Sequence, residues 1–211
     1  MDASKIYAID LSHNNASFNW NELSPAVKIV ILKATQGKSF KDGTFIQNLN
    51  TVRTRGLILG AYHFLNFTDS AEDQANNYLS RGVDFSRPGT LSPIVDIENQ
   101  VPESLDSGVV NNQAAAHELI KEYLEIIEAK TGRKPIIYTY NGFWGPTLGH
   151  PDFSSYPLWV ANYANVEPHM FGGWDHYTLW QFSESGSHKA SSGGDIDWSL
   201  LNPSIDINTL L

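Results

Sequence analysis

Two carboxylates stand two residues apart at the end of an apolar run, Ser92-Pro-Ile-Val-Asp96-Ile-Glu98-Asn99. Read as a strand, this run sends alternate side chains to opposite faces. Asp96 and Glu98 then share a face, with Cα atoms roughly 6.6 Å apart. Acids so placed can divide labour: burial and the neighbour's charge let one keep its proton while the other stays ionised. Cleavage of a glycosidic bond uses that division. A bare Asp-x-Glu is also common at solvated strand ends, so the pair gains weight only from its company.

Further acids close other apolar runs. Asp10 ends Tyr7-Ala-Ile-Asp10 and precedes Ser12 and His13, and Asp195 and Asp197 flank Ile196 near the C-terminus. Singly, each reads as a turn or capping acid. In one parallel sheet, acids at several strand ends converge on one mouth. Polar and aromatic residues recur at the same positions: Tyr62 and His63, Tyr138 and Tyr140, Trp159, Asn162 and Tyr163, and Trp180 with Gln181. Alternation turns about half of these toward the mouth and the rest into core.

Competing chemistries find less support. His13, His63, Asp10 and Asp96 could ligate a divalent ion, but neither His-x-His nor His-Glu-x-x-His occurs, so no metal is expected. Gly-x-Ser-x-Gly is absent, as are Gly-x-Gly-x-x-Gly and the P-loop spacing, and no cofactor is expected. With no cysteine, thiolate and disulfide chemistry is excluded. The net charge of -9, from 14 basic and 23 acidic residues, disfavours nucleic acid and anionic membrane as partners. Six Trp and nine Tyr beside these acids suit carbohydrate, whose apolar faces stack on rings while its hydroxyls bond carboxylates.

Something must hold these residues together. Short apolar runs bounded by turn or polar residues read as buried strands at Ile6–Asp10, Ile29–Ala34, Leu57–Phe64, Pro93–Glu98, Pro135–Tyr140, Leu158–Asn162 and Thr178–Phe182, with a weaker eighth at Asp195–Asp197. Helical spacing appears at Thr44–Thr54, stopped by Gly56. A second helix opens on the box Asp69-Ser-Ala-Glu72 and runs to about Arg81. A third spans Val109–Lys130 and closes at Gly132. From Gly142 to Trp174, Pro, Gly and aromatic residues predict loops or short helices, and Ser183–Gly194 reads as one exposed loop. Strand–helix alternation implies a parallel sheet with right-handed crossovers. About eight strands in 211 residues predict an α/β fold with a closed, irregular barrel, which fits one domain over residues 1–211. The start, MDASKIYAIDLSH, lacks a basic segment followed by an apolar run, and no stretch approaches a membrane-spanning length, so neither secretory signal nor membrane insertion is expected.

In order along the chain, these motifs resemble the family 25 glycoside hydrolases, the Chalaropsis-type lysozymes. The resemblance is carried by Tyr7-Ala-Ile-Asp10-Leu-Ser-His13, Ile31-Leu-Lys33-Ala-Thr-Gln36-Gly37, Gly60-Ala-Tyr62-His63-Phe64, Pro93-Ile-Val-Asp96-Ile-Glu98, Leu158-Trp159-Val-Ala161-Asn-Tyr163, Leu179-Trp180-Gln181-Phe182 and Ile196-Asp197-Trp198-Ser199-Leu-Leu201. Gln36 stands where the family often has Glu, and Ser199 where its ending has Asn. The final acid aligns with Asp197. Asp195 would align only after a two-residue shift that leaves Trp198 unmatched.

The resemblance implies a flattened, TIM-like β/α barrel of eight mostly parallel strands that cleaves between N-acetylmuramic acid and N-acetylglucosamine in peptidoglycan. Carried over residue by residue, Glu98 would be the general acid and then the base on water. Asp96 would hold the substrate's 2-acetamido group so that its carbonyl attacks the anomeric carbon with net retention. Asp10 and Asp197 would tune charge or orient Asp96, and Tyr62, Tyr138, Trp159 and Gln181 would contact substrate. Peptidoglycan is then the partner, with no obligate protein partner. Action is on the cell wall, after release from a host cytoplasm as a phage endolysin or outside the cell as a processed autolysin. Two alternatives stay open: a barrel that binds peptidoglycan or chitin without cutting it, and a chitin-cutting relative. Leu91-Ser-Pro-Ile-Val95 lacks the extra Asp residues of the chitinase-type pattern.

Overall fold

The computed structural model describes residues 2, 4–100, 105–164, 166–184 and 196–211. Among these, the apolar runs form β1 (Tyr7–Leu11), β2 (Val27–Gln36), β4 (Ile58–Phe64), β5 (Ile94–Asp96), β6 (Ile136–Thr139), β7 (Leu158–Ala161), β8 (Leu179–Ser183) and β9 (Asp197–Leu201). A two-residue strand that sequence reasoning did not mark, β3 (Phe40–Lys41), folds back antiparallel on β2. The sheet order is β1-β9-β8-β7-β6-β5-β4-β2-β3, and pairing of β1 with β2 closes it into an eight-strand barrel with β3 as an appendage.

One expectation about the strands needs correction. The last strand is Asp197–Leu201, not Asp195–Asp197, and Asp195 lies outside the described residues, as does most of the segment Ser183–Gly194. The eight strands are mostly parallel, as expected, and β9 runs antiparallel to both neighbours, β8 and β1. Asp197 therefore begins its strand rather than ending it. Because that strand is reversed, its beginning lies at the end of the barrel where β1 finishes, and Asp10 pairs with Asp197 in register.

Alternation along each strand sorts two cores. Ala8, Ile29, Ile31, Ile94, Ile136, Leu179 and Leu201 pack inside the barrel, while Ile9, Val30, Leu32, Val95, Ile137 and Val160 face the helical layer. Gly60 permits the inner packing, since a Cβ there would lie 2.9 Å from Cγ1 of Ile31 on the next strand. At the opposite end from the site, Leu210 joins the inner cluster, and the Ser92 amide donates to its carbonyl (2.8 Å).

The outer layer holds α1 (Phe45–Thr54), α2 (Ala71–Leu79), α3 (Asp106–Asn111), α4 (Gln113–Thr131) and the single turn α5 (Asn141–Trp144). The cap of α2 is Ser70 rather than Asp69: its hydroxyl accepts from the Asp73 amide at 3.2 Å. Asp69 instead binds Lys38, through the amide (3.1 Å) and the ammonium (3.0 Å). The long helix expected from Val109 is two helices, broken where Asn112 leaves helical geometry (φ -144°, ψ 56°), and it ends at Gly132 with φ +70°. Among the described residues no helix is long and apolar enough to cross a membrane.

Candidate active site

The inner face changes character along the barrel. Apolar side chains fill one end. At the other, the alternating inward positions carry Asp10 on β1, Lys33 on β2, Tyr62 on β4, Asp96 on β5, Tyr138 on β6, Trp159 on β7, Gln181 on β8 and Asp197 on β9. Seven of these, with Glu98 just beyond β5, line one cavity of about 80 Å³. These are the four acids and four contact candidates expected from sequence, brought together without exception.

Glu98 also lines two larger spaces on either side. One, of about 570 Å³, is walled by Tyr138, Tyr140, Tyr163, Phe171, Pro168 and His169. The other, of about 320 Å³, is walled by Ser12, Asn14, Asn15, Lys33, Tyr62 and Phe64 with the acids. The result is a groove with an aromatic arm and a polar arm, and Glu98 stands where they join.

Backbone bonds lock the chain around the acid pair. The Leu65 amide donates to the Asp96 carbonyl (2.9 Å), and the Ile97 amide to the Tyr138 carbonyl (2.9 Å). Gln100 is buried behind them, and its side-chain amide donates to the carbonyls of Leu65 (3.1 Å) and Glu98 (3.0 Å). Asp106 accepts from the side-chain amide of Asn99 (2.6 Å) and the backbone amide of Gln100 (2.9 Å), and Tyr140 donates its hydroxyl to Asn99.

Gln181 links the opposite wall. Its amide NH₂ donates to Asp10 (2.9 Å) and more distantly to Asp197 (3.5 Å), while its oxygen accepts from the hydroxyls of Tyr138 and Tyr163 (2.8 Å each). With Tyr hydroxyls on its oxygen, the amide must present its NH₂ to the acids. Trp159 donates its indole N–H to the buried Ser199 hydroxyl (2.9 Å), which fixes its ring.

Burial governs the charges. It pushes the Glu98 carboxyl up to about 7; the Lys33 ammonium pulls it down and Asp197 pushes it further up. Asp96 is also held well above the usual carboxylate range, first by burial and then by the charge of Glu98, with Lys33 opposing. Asp10 is raised by burial and by Asp197, against the hydrogen bond from Gln181. One oxygen of Asp96, Oδ1, is buried without a hydrogen-bond partner. A buried acceptor left open is costly unless something arrives to fill it. The cavity can thus supply a proton from Glu98 near neutral pH and an acceptor for an incoming N–H at Asp96.

The histidines fall elsewhere. His63 faces the helical layer, buried between the Thr35 hydroxyl (2.7 Å) and the side-chain oxygen of Gln74 (3.2 Å), and His13 binds Asp42 (2.8 Å). Among the described residues no group of three or more His, Cys, Asp or Glu is arranged to hold a metal ion. Sequence reasoning passed over Lys33 as a site residue, although the second lysine of Val27-Lys28-Ile-Val-Ile-Leu-Lys33-Ala, in phase with the inward Ile29 and Ile31, marks a charge aimed into the barrel.

Comparison with known proteins agrees with this geometry. Residues 9–191 match the sequence model of Glycosyl hydrolases family 25. Lysozyme M1 of Streptomyces globisporus is 31% identical over 208 residues, covering 96% of this chain and 70% of that protein. The N,O-diacetylmuramidase of a Chalaropsis species is 29% identical over 210 residues, covering 95% and 96%. The crystal structure of the bacterial lysozyme from Streptomyces coelicolor superposes with a TM-score of 0.85 at 29% identity, covering 95% of this chain and 94% of that one.

Proposed function

The chain belongs to glycosyl hydrolases family 25, and from that premise we propose that residues 1–211 act as one catalytic barrel that hydrolyses the β-1,4 bond between N-acetylmuramic acid and N-acetylglucosamine in bacterial peptidoglycan. The enzyme is a glycoside hydrolase of the lysozyme type. The observation that carries the finer reading is the cavity in which Asp10, Asp96, Glu98 and Asp197 meet, with one carboxyl titrating near 7.

In this reading the glycan lies along the groove with its scissile bond over Glu98. Glu98 keeps its proton at neutral pH and delivers it to the departing glycosidic oxygen. Asp96 accepts the N–H of the 2-acetamido group at its open oxygen and turns the acetamido carbonyl onto the anomeric carbon. The carbonyl oxygen forms a bond to that carbon as the glycosidic bond breaks, giving a cyclic oxazolinium. Glu98, now ionised, takes a proton from water, which opens the ring with net retention. Such substrate-assisted routes depart from the usual two-carboxylate scheme. Asp10 and Asp197, held by Gln181, shape the charge beneath the sugar. Tyr62, Tyr138, Trp159 and Gln181 contact it.

Mass spectrometry of purified peptidoglycan after digestion and borohydride reduction tests the assignment. Reduced N-acetylmuramic acid ends are expected. Reduced N-acetylglucosamine ends would refute the bond, and retained wall binding with no new ends would replace the reading with a binding protein.

A further inference from the structure

Four carboxylates line the polar arm of the groove, and one primary ammonium, that of Lys33, lies among them. Lys33 is half-buried on the inward phase of β2. Its ammonium lies 5.0 Å from the ring centre of Phe64 and 5.9 Å from that of Phe40. Its hydrogen-bond acceptor is neutral: Nζ donates to the side-chain oxygen of Gln36 at 2.8 Å. Among the described residues it forms no ion pair.

That arrangement is unusual for a partly buried ammonium, which ordinarily takes a carboxylate partner. A carboxylate at position 36 would form a close ion pair, whose field falls off faster than that of a single charge. An amide fixes the ammonium and leaves its charge whole. The acids that feel that charge are Asp96 from β5, Glu98 beyond it, and Asp42 beyond β3. Asp42 is already engaged by the amide and ring of His13 and by the amide and hydroxyl of Thr44. The remaining influence falls on Asp96 and Glu98.

We infer that Lys33 is a positioning residue for the acid pair, and that Gln36 anchors its ammonium through a neutral amide so that its charge stays uncancelled toward Asp96 and Glu98. The inference rests on the reading of Glu98 as proton donor. Asp10, Asp197 and Tyr62 share the polar arm with Lys33, and His169 and Glu184 stand in the other arm, beyond Glu98. Against this acidic surround Lys33 is the cation that limits how tightly the pair holds its protons. The same surround argues against Lys33 as a docking point for an anionic substituent, which would meet four carboxylates.

The test compares pH profiles of kcat/KM on peptidoglycan for wild type, Gln36→Glu, Lys33→Met and Lys33→Arg, with ¹³C-carboxyl NMR titration of Glu98 in each. Gln36→Glu and Lys33→Met both weaken the positive field. Each is expected to move the alkaline limb up by about one pH unit, the low end of the ~1–3 that a nearby opposite charge exerts. One unit above the wild-type midpoint, these variants keep about half of their maximum where wild type keeps about a tenth. Lys33→Arg is expected to leave the limb in place. A purely structural role would lower kcat with all limbs unmoved, and that result overturns the inference, as does a downward shift. If Gln36→Glu fails to fold, Lys33→Met decides. Should wild type prove inactive, the lysozyme mechanism fails, but the Glu98 titration still decides: a rise supports the electrostatic link and no change refutes it.

Discussion

Replacing Glu98 with Gln should lower activity sharply and, above about pH 4.5, stabilise the protein. Its carboxyl titrates near 7 in the fold against an ordinary value of 4.5, because burial penalises the charged form. The folded state therefore binds this proton more tightly than the unfolded chain. The associated stability is fully present below about pH 4.5 and is lost as pH rises through 7. At ~1.36 kcal/mol per pH unit the loss amounts to about 3 kcal/mol. The Glu98→Gln protein has no such charge to bury. Asp10 and Asp96 are raised too, but both proteins keep them, so the difference isolates Glu98 with its coupling to Asp96. At about 2–4 °C per kcal/mol for a domain of this size, the variant should melt roughly 6–12 °C higher than wild type at pH 8 and close to it at pH 4. Circular-dichroism melts at pH 4, 6 and 8 read the gap. Turbidity clearing of cell walls reads the activity, expected to fall by about 10²–10⁴. His63, buried and held down to about 4, adds stability over part of the same range in both proteins, so the gap and not the wild-type trend is decisive; a gap that stays constant across pH would refute the assignment of a buried, protonated Glu98.

Two substitutions test the supports of the site. Gln181→Leu leaves the buried Tyr138 hydroxyl without its acceptor and Asp10 without its donor; with two unsatisfied buried groups costing ~1–3 kcal/mol each, urea unfolding at pH 6 should show a loss of about 2–6 kcal/mol. Gly60→Ala would set a Cβ 2.9 Å from Cγ1 of Ile31 and 3.3 Å from its Cα, and urea unfolding should register an overpacking cost of about 1–3 kcal/mol. A cost near zero at either position would mean that the surroundings relax where this packing says they cannot.

Much of this was legible in sequence because strands covered on both sides read as continuous apolar runs, and most of the runs came out within a few residues of their bounds. Asp10 and Asp96 were placed at a common mouth by the simple rule that parallel strands end together. Strand direction is different. Nothing in Ile196-Asp197-Trp198-Ser199 says which way the run points, so a parallel sheet put Asp197 at a strand's end when it stands at a strand's beginning. The mistake left its position intact, since reversing the strand also exchanges its ends. The helix break at Asn112 carried no Pro or Gly to announce it. Asp69 lost its capping role to Ser70 because Lys38, distant in sequence, competes for its carboxylate. Lys33 escaped notice as a site residue since lysines usually mark solvated faces, and only the inward phase of β2 shows otherwise.

The closure of the barrel explains why the acids come to be costly together. Six parallel pairings bring the carboxyl ends of seven strands to one rim, and the reversed β9 inserts an eighth position there by pairing Asp197 with Asp10. Two carboxyls on adjacent strands in register repel, and burial together with the charge of Asp197 makes Asp10 harder to ionise. Gln181, one strand further along, reaches both with a single NH₂ and is itself held by two tyrosines. On the facing side Lys33 offsets Asp96 and Glu98 without forming an ion pair. The rim therefore keeps its acids by two different means: a neutral hydrogen-bond donor for Asp10 and Asp197, and an uncancelled charge for Asp96 and Glu98. Exchanging the two devices should act in a specific way, because a cation at position 181 would favour the ionised form of Asp10, while a neutral residue at 33 would raise the pH at which Glu98 gives up its proton.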